Sequence, residues 1–404
     1  MEAAGSRACR RCRPEATPEW DVRADLATRA LRLIAEGAID ADGVGGLATR
    51  LAVSRHRLHR GLIATVGVGP LALARTRRAQ TARLLIDQTD LSITEVAFAA
   101  GFSSLRQFNV SMHASFGATL TTLRRRGVSA ETGGGALLLR LAYRPPFEAT
   151  SLLAYLARHA VPGVEAVASG RYLRAIALLR GSATLSLEPL TRSHHVVLRA
   201  RMGDLRDLAA LTARCRHLLD LNTDPAAIAE VRATDPLLAP LVAARPGLRV
   251  PGTVDGFEMA IRIIVGQQIS VAGARTPLGR LVSTFGRPLP QSEGPLTHLF
   301  PTAERFAEAN LEGVGLTRAR GATVRVLAAA DACGTIALDR GADRAAVEAH
   351  LLELPGVGPW TAACIAPRAL SDPDAWPGTD LILRRTLAMS PSAAEARAAV
   401  ELDA

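Results

Sequence analysis

The residues best suited to chemistry lie in the last quarter of this 404-residue chain. In Leu354-Pro355-Gly356-Val357-Gly358-Pro359-Trp360-Thr361, two glycines bend the backbone between helical runs and leave its N–H groups open to a phosphate. Such a segment can grip a nucleic-acid backbone without reading its sequence. An ordinary helix–helix corner would use the same Pro and Gly punctuation. Beyond it, Trp376-Pro377-Gly378-Thr379 leads into Asp380 and then Leu381. A carboxylate at such a helix start is often simply a cap, and a lone aspartate would read that way. Trp360 on the same terms reads as a core residue.

The hairpin and aspartate together resemble the helix-hairpin-helix Gly/Pro-Asp superfamily of base-excision DNA glycosylases. Phe257 to Ser270 is similar to the helix and DNA-wedge segment of its AlkA-type 3-methyladenine glycosylase branch. The resemblance implies a catalytic role for Asp380 and a base pocket lined by Trp360, Cys364 and Leu381. It also implies a backbone grip by Leu354, Gly356, Val357, Gly358 and Thr361, and a wedge, Gln267 or Gln268, that fills the gap left by an extruded base. Cys364 and Leu381 depart from the pattern, which has tyrosines there, and an apolar residue is usual at Gln268. In bifunctional relatives a lysine stands at the Trp360 position and forms a Schiff base. This chain contains no lysine. Hydrolysis without strand cleavage is therefore expected, and without a cofactor.

The elements that must present these residues to DNA begin in a basic N-terminal third. The chain carries a formal net charge of +10, and residues 1–126 hold 19 Arg against 11 Asp and Glu. Such a surface favours a polyanion, although a basic balance also serves solubility. From Val22 to about Arg126 the apolar spacing is helical, with Leu26, Ala30, Leu33 and Ile34 recurring every three or four residues. Gly46 to Ser54 reads as a short helix and tight turn, with Arg55, Arg57 and Arg60 on the next helix. Ile93 to Ser103 repeats the unit, followed by Ser104, Arg106, Gln107 and Asn109. In a helix-turn-helix the second helix enters the major groove, where Arg forks onto guanine and Asn or Gln onto adenine. A helix C-cap and a solvated basic face are the plainer alternative. Residues 22–126 resemble the AraC-type regulatory domain, most specifically over Ile93 to Phe108, which implies operator DNA as a partner.

Residues 127–135, with three successive glycines, read as a linker. Short strand-like runs follow at Ala136–Tyr143, Tyr172–Leu179, Ser182–Leu187 and His195–Ala200, with helices near Glu148–His159 and Asp204–Leu219. From Asp224 onward the pattern is helical. The expected fold is mainly α and multidomain: a tandem helix-turn-helix domain over 21–126, a small α+β domain over 136–222, and a helical helix-hairpin-helix domain over 223–404. The whole most resembles a fused Ada/AlkA-type alkylation-repair protein, shortened at both ends. Residues 1–20 are similar to the tail of an Ada-type zinc domain, where Cys9 and Cys12 would supply half of a zinc site or remain free thiols. The earlier cysteine pair that accepts a methyl group in that family has no counterpart, so methyl transfer is not expected. No apolar run is long enough for a membrane span and no signal peptide is evident, which suits a cytoplasmic protein. The function expected is release of alkylated bases from double-stranded DNA under a sequence-specific regulatory domain. The alternatives are a transcriptional regulator with a non-catalytic glycosylase-like half and a sequence-independent clamp on damaged DNA. Oligomeric state is not encoded in any motif here.

Overall fold

The structure, a computed structural model, describes residues 22–117, 120–125, 136–372, 375–387 and 390. Cys9, Cys12, the linker at 127–135 and the chain beyond Ser390 lie outside the described residues.

Seven helices form the N-terminal part. Helices α1 (Val22–Glu36) and α2 (Ala38–Arg50) meet at Gly37, and α2 is kinked at Gly43. Helix α3 (Arg55–Val66) starts on Ser54, whose hydroxyl accepts from the Arg57 N–H. After α4 (Pro70–Gln88), with proline in its first turn, α5 (Ile93–Ala99) opens with a capping box between Ser92 and Glu95. Helices α6 (Leu105–Phe116) and α7 (Leu120–Arg125) complete the second unit. The apolar stripe read from spacing is buried, and Leu26, Leu33, Leu47, Leu58 and Leu62 form one core. The second unit has no separate core. Leu85, Val96, Phe102, Phe108 and Met112 are continuous with the apolar side chains of the sheet that follows.

That sheet contains β1 (Leu137–Ala142), β2 (Glu165–Ala168), β3 (Arg171–Leu178), β4 (Gly181–Leu190) and β5 (His195–Met202). Its order is β1-β5-β4-β3-β2, and every pair is antiparallel. Alternation places Leu139, Leu141, Leu185, Leu187 and Leu198 in the core, against Leu152 of α8 (Ala149–His159) and Leu211 of α9 (Leu208–Leu218). Four strands match apolar runs in the sequence. The four-residue β2 is too short to show alternation.

Helices α10 (Pro225–Arg232), α11 (Ala239–Ala244), α12 (Gly256–Gly266) and α13 (Val271–Phe285) follow. The sequence from here on reads as mainly helical, with no strand marked in it. Instead β6 (Arg287–Glu293) and β7 (Leu296–Leu299) make an antiparallel hairpin that packs Leu289, Leu296 and Leu299 onto Ala175 of β3. Pro288 and Pro290 hide it from propensity, because proline is tolerated in a strand only at an edge or irregularity. The remaining helices are α14 (Ala303–Ala307), α15 (Arg318–Ala332), α16 (Arg344–Glu353), α17 (Pro359–Ile365), which widens into a π-helical turn over 366–370, and α18 (Leu381–Leu387). Ile261, Ile264, Leu281, Phe306, Leu327, Leu351 and Ile365 form their common core.

Candidate active site and DNA-reading surface

Asp380 sits at the start of α18 and uses its two oxygens differently. Oδ1 accepts from the Ile382 and Leu383 N–H groups, both at 2.9 Å, while Oδ2 accepts from the Trp360 indole N–H, also at 2.9 Å. The helix cap therefore uses one oxygen of this aspartate and leaves the other turned to Trp360. One oxygen fixes the carboxylate and the other is held at a cavity of about 430 Å³, a size suited to a small organic group. Trp360, Cys364 and Asp380 all line it. Burial, reinforced by the Asp380 charge, pushes the Cys364 thiol up to about 11, so it is a neutral wall and not a nucleophile at neutral pH.

Leu381 is a correction. Expected in the pocket, it is 55% exposed, while the next residue, Ile382, reaches the rim. Ile382 is itself 75% exposed and touches the cavity only from that edge.

The opposite side comes from α8, which nothing in the motif analysis had tied to the site. Tyr155 lines the cavity and stacks on His159 with ring centroids 4.0 Å apart, and the Arg368 guanidinium lies 5.4 Å from the Tyr155 ring centroid. The one sequence signal was an aromatic on an amphipathic helix, and that reads as core until the chain is folded. Burial raises the Tyr155 hydroxyl above its ordinary range and, by desolvation, lowers His159.

Deeper in, Glu165, Arg174 and Arg262 line the cavity and form a buried ion network with Glu258. Arg174 reaches Glu165 at 2.8 Å and also pairs with Glu258. Arg262 reaches Glu165 at 2.6 Å, and Tyr172 donates to the same glutamate. Burial alone would raise Glu165, but Arg262 and Arg174 outweigh it and hold that carboxyl at about 2. The network locks the sheet to α12.

At the hairpin, Gly356 has φ +84 and its missing Cβ would fall 2.2 Å from Thr323 Oγ1, so glycine is required there. Gly358 faces open space, and no atom lies within 4 Å of where its Cβ would be. Leu354 is half-buried, while Val357 and Thr361 are buried. The side chains of Val357 and Thr361 therefore serve the interior, so a part for these two in the expected backbone grip falls to their main-chain groups. Thr361 Oγ1 accepts from the Gln267 amide at 2.9 Å, and Gln267 also donates to the Gly356 carbonyl. The two wedge candidates are thus placed differently. Gln267 braces the hairpin, whereas Gln268 is exposed with φ 58, at a tip between α12 and α13.

On the N-terminal units, Arg57, Arg60, Arg106 and Asn109 are exposed along α3 and α6. Arg55 is also exposed but folds its guanidinium over Gly45, where a Cβ would be 2.4 Å away. The Ser104 hydroxyl oxygen caps α6 through the Gln107 N–H, and Gln107 in turn accepts from Ser103. Among the described residues there is no group of three or more His, Cys, Asp or Glu placed to hold a metal ion, and no helix is long and apolar enough to cross a membrane.

Residues 138–255 match the AlkA N-terminal domain family and residues 47–126 a helix-turn-helix domain family. Over 387 residues the chain is 46% identical to the "Probable bifunctional transcriptional activator/DNA repair enzyme AlkA" of Mycobacterium tuberculosis, covering 94% of this chain and 78% of that protein. It is 33% identical to DNA-3-methyladenine glycosylase 2 of Escherichia coli over 258 residues, 62% of this chain and 88% of the other. The fold is similar to that of a 3-methyladenine DNA-glycosylase from Archaeoglobus fulgidus, with TM-score 0.57 and 20% identity over 65% of this chain and 92% of that one. With a tandem helix-turn-helix domain joined to an AlkA-type glycosylase fold, and 46% identity along nearly its whole length, the chain belongs to the AlkA-type family of bifunctional transcriptional activator/DNA repair enzymes.

Proposed function

We propose that this protein hydrolyses the N-glycosidic bond of alkylated bases, of the 3-methyladenine type, in double-stranded DNA, and that its N-terminal helices bind operator DNA. The observation that carries the reading is the Asp380 carboxylate fixed by Trp360 at the mouth of a cavity large enough for an extruded base. An alkylated purine carries positive charge, so it stacks favourably on Trp360 and Tyr155 and leaves readily from the sugar. As the C1′–N bond breaks, the sugar becomes oxocarbenium-like. Asp380 stabilises that charge and orients the water that attacks C1′. With no lysine in the chain, no Schiff base forms and the strand stays intact.

The supporting roles follow from position. The exposed backbone at Gly356 and Gly358 grips phosphates, and Gln268 enters the stack where the base has left. Arg57, Arg60, Arg106 and Asn109 read the operator, with Arg55, Ser104 and Gln107 steadying those helices. The working units are 21–126, 136–222 and 223–404. No cofactor is needed, and zinc at Cys9 and Cys12 plays no part in excision. Action on genomic DNA puts the protein in the cytoplasm.

The test is release of 3-methyladenine from methylated duplex DNA by wild type and Asp380→Asn, with unfolding curves for both. Release by the wild type alone, with equal folding and no strand nicking, is expected. Equal release by the variant would overturn the reading.

A further inference from the structure

The first helix of the regulatory part does not stop at its own core. Helix α1 packs along α9 and sends charged side chains into the glycosylase fold. Arg29 is buried and its Nε donates to the Gly341 carbonyl at 2.8 Å. Leu33, fully buried, lies so close to Gly341 that a Cβ there would sit 2.4 Å from it. Glu36 pairs with Arg340 at 3.2 Å, and Arg340 donates to the Ser371 hydroxyl. Arg32 donates to the Leu370 carbonyl at 3.5 Å and the Ser371 carbonyl at 3.3 Å. Those two carbonyls end the turn that follows α17, where Ser371 has φ 54, nine residues before Asp380. Nearby, His217 of α9 bonds through Nε2 to the carbonyl of Arg368, a residue that lines the base cavity.

Arg32 is half-buried and donates to backbone carbonyls, a costly way to hold two domains together even with the charges of Asp25 and Asp372 nearby to offset part of the desolvation. Burial, with Arg340 and Arg344 alongside, lowers Arg32 to about 10, so it stays charged at neutral pH. What the contact supplies is geometry. It fixes the carbonyl end from which the aspartate-bearing segment departs.

Resting on the excision reading above, we propose that α1 is a brace for the active site. Arg32 is a positioning residue for Asp380, so the DNA-reading half and the excision half form one mechanical unit, and removing the brace slows chemistry without weakening DNA binding. An event that shifts α1 then shifts the aspartate.

The experiment uses the full chain as wild type, Arg32→Met and Gly341→Leu. The second variant wedges Leu33 away while leaving Arg32 intact. Amide hydrogen exchange is followed in residues 366–383, alongside single-turnover release of 3-methyladenine and affinity for undamaged duplex. Both variants are expected to raise exchange in that segment and to slow single-turnover release about tenfold, with duplex affinity within about twofold, since small misplacement of a catalytic group falls on the chemical step. Unchanged exchange in both variants would overturn the brace. Raised exchange with an unaltered release rate would overturn the positioning role. If the wild type releases no base, the excision reading fails, and the exchange measurement still decides whether α1 holds the segment.

Discussion

Ser54 and Ser104 each accept a hydrogen bond from the N–H three residues further on, and the side chains offered to DNA follow directly on the helices they start. Asp380 also caps a helix, but its other oxygen is held by Trp360, and the cavity beyond is closed by Tyr155 and braced by Gln267. The DNA-reading surface is thus set by bonds within a single turn of chain, and the excision site by contacts between distant segments. Local sets of this kind tolerate change in neighbouring domains. An assembled site responds to any packing change that moves one of its walls.

The largest expected effect separates the two regions. Asp380→Asn should lower base release about a thousandfold while operator affinity is unchanged, measured by single-turnover release and footprinting on the same preparation. Next is stability. Glu258→Ala leaves Arg174 and Arg262 without one of their shared carboxylates, and denaturant unfolding should show a loss of about 3–5 kcal/mol, because the stranded cations remain buried. The comparison sharpens if α3 and α6 keep their helical signal until that same transition.

On the reading side, Arg106→Ala or Asn109→Ala should each cost about 1–3 kcal/mol at the base pair contacted and relax the operator preference there, with base release unaffected. A fall in release would break the separation between the regions. The smallest effect lies within the reading domain, where the two units turn on different residues. The second turns at Gly101, with φ +91 and Asp40 Oδ2 2.6 Å from where a Cβ would be. The first uses Ala52 at φ 53. Gly101→Ala should destabilise by about 1–2 kcal/mol, since Asp40 is pinned by Arg77 and Arg78, whereas Ala52→Gly should be neutral or stabilising by about 0.5 kcal/mol. Thermal melts of the two variants compare the units directly.

Much of this was legible in the chain. Helical spacing from Leu26 to Ile34 and the glycine-containing turns lie within the range of a single hydrogen bond, so residue type and order suffice to place them. The resemblance at Leu354–Thr361 and Asp380 led to residues that the fold does bring together. Other features were not legible. Leu381 and Ile382 are adjacent, both apolar and both exposed, and only the folded chain shows that Ile382 is the one at the cavity rim. Gln267 and Gln268 are identical in type, and their roles diverge because Thr361 lies within reach of one of them. The β6–β7 hairpin depends on Ala175 for its apolar cover.

The sequence by itself determined most of the helices, four strands of the large sheet, the absence of lysine and a carboxylate whose position suits the chemistry proposed for it. Tertiary structure alone decided that Tyr155 supplies the far wall, that a buried network of Glu165, Arg174, Glu258 and Arg262 joins sheet to helix, and that α1 reaches the carbonyls ahead of Asp380. The reason is physical. Caps and turns are satisfied within a few residues, whereas a wall, a buried ion pair or a brace exists only when burial of a shared core brings remote segments within bonding distance.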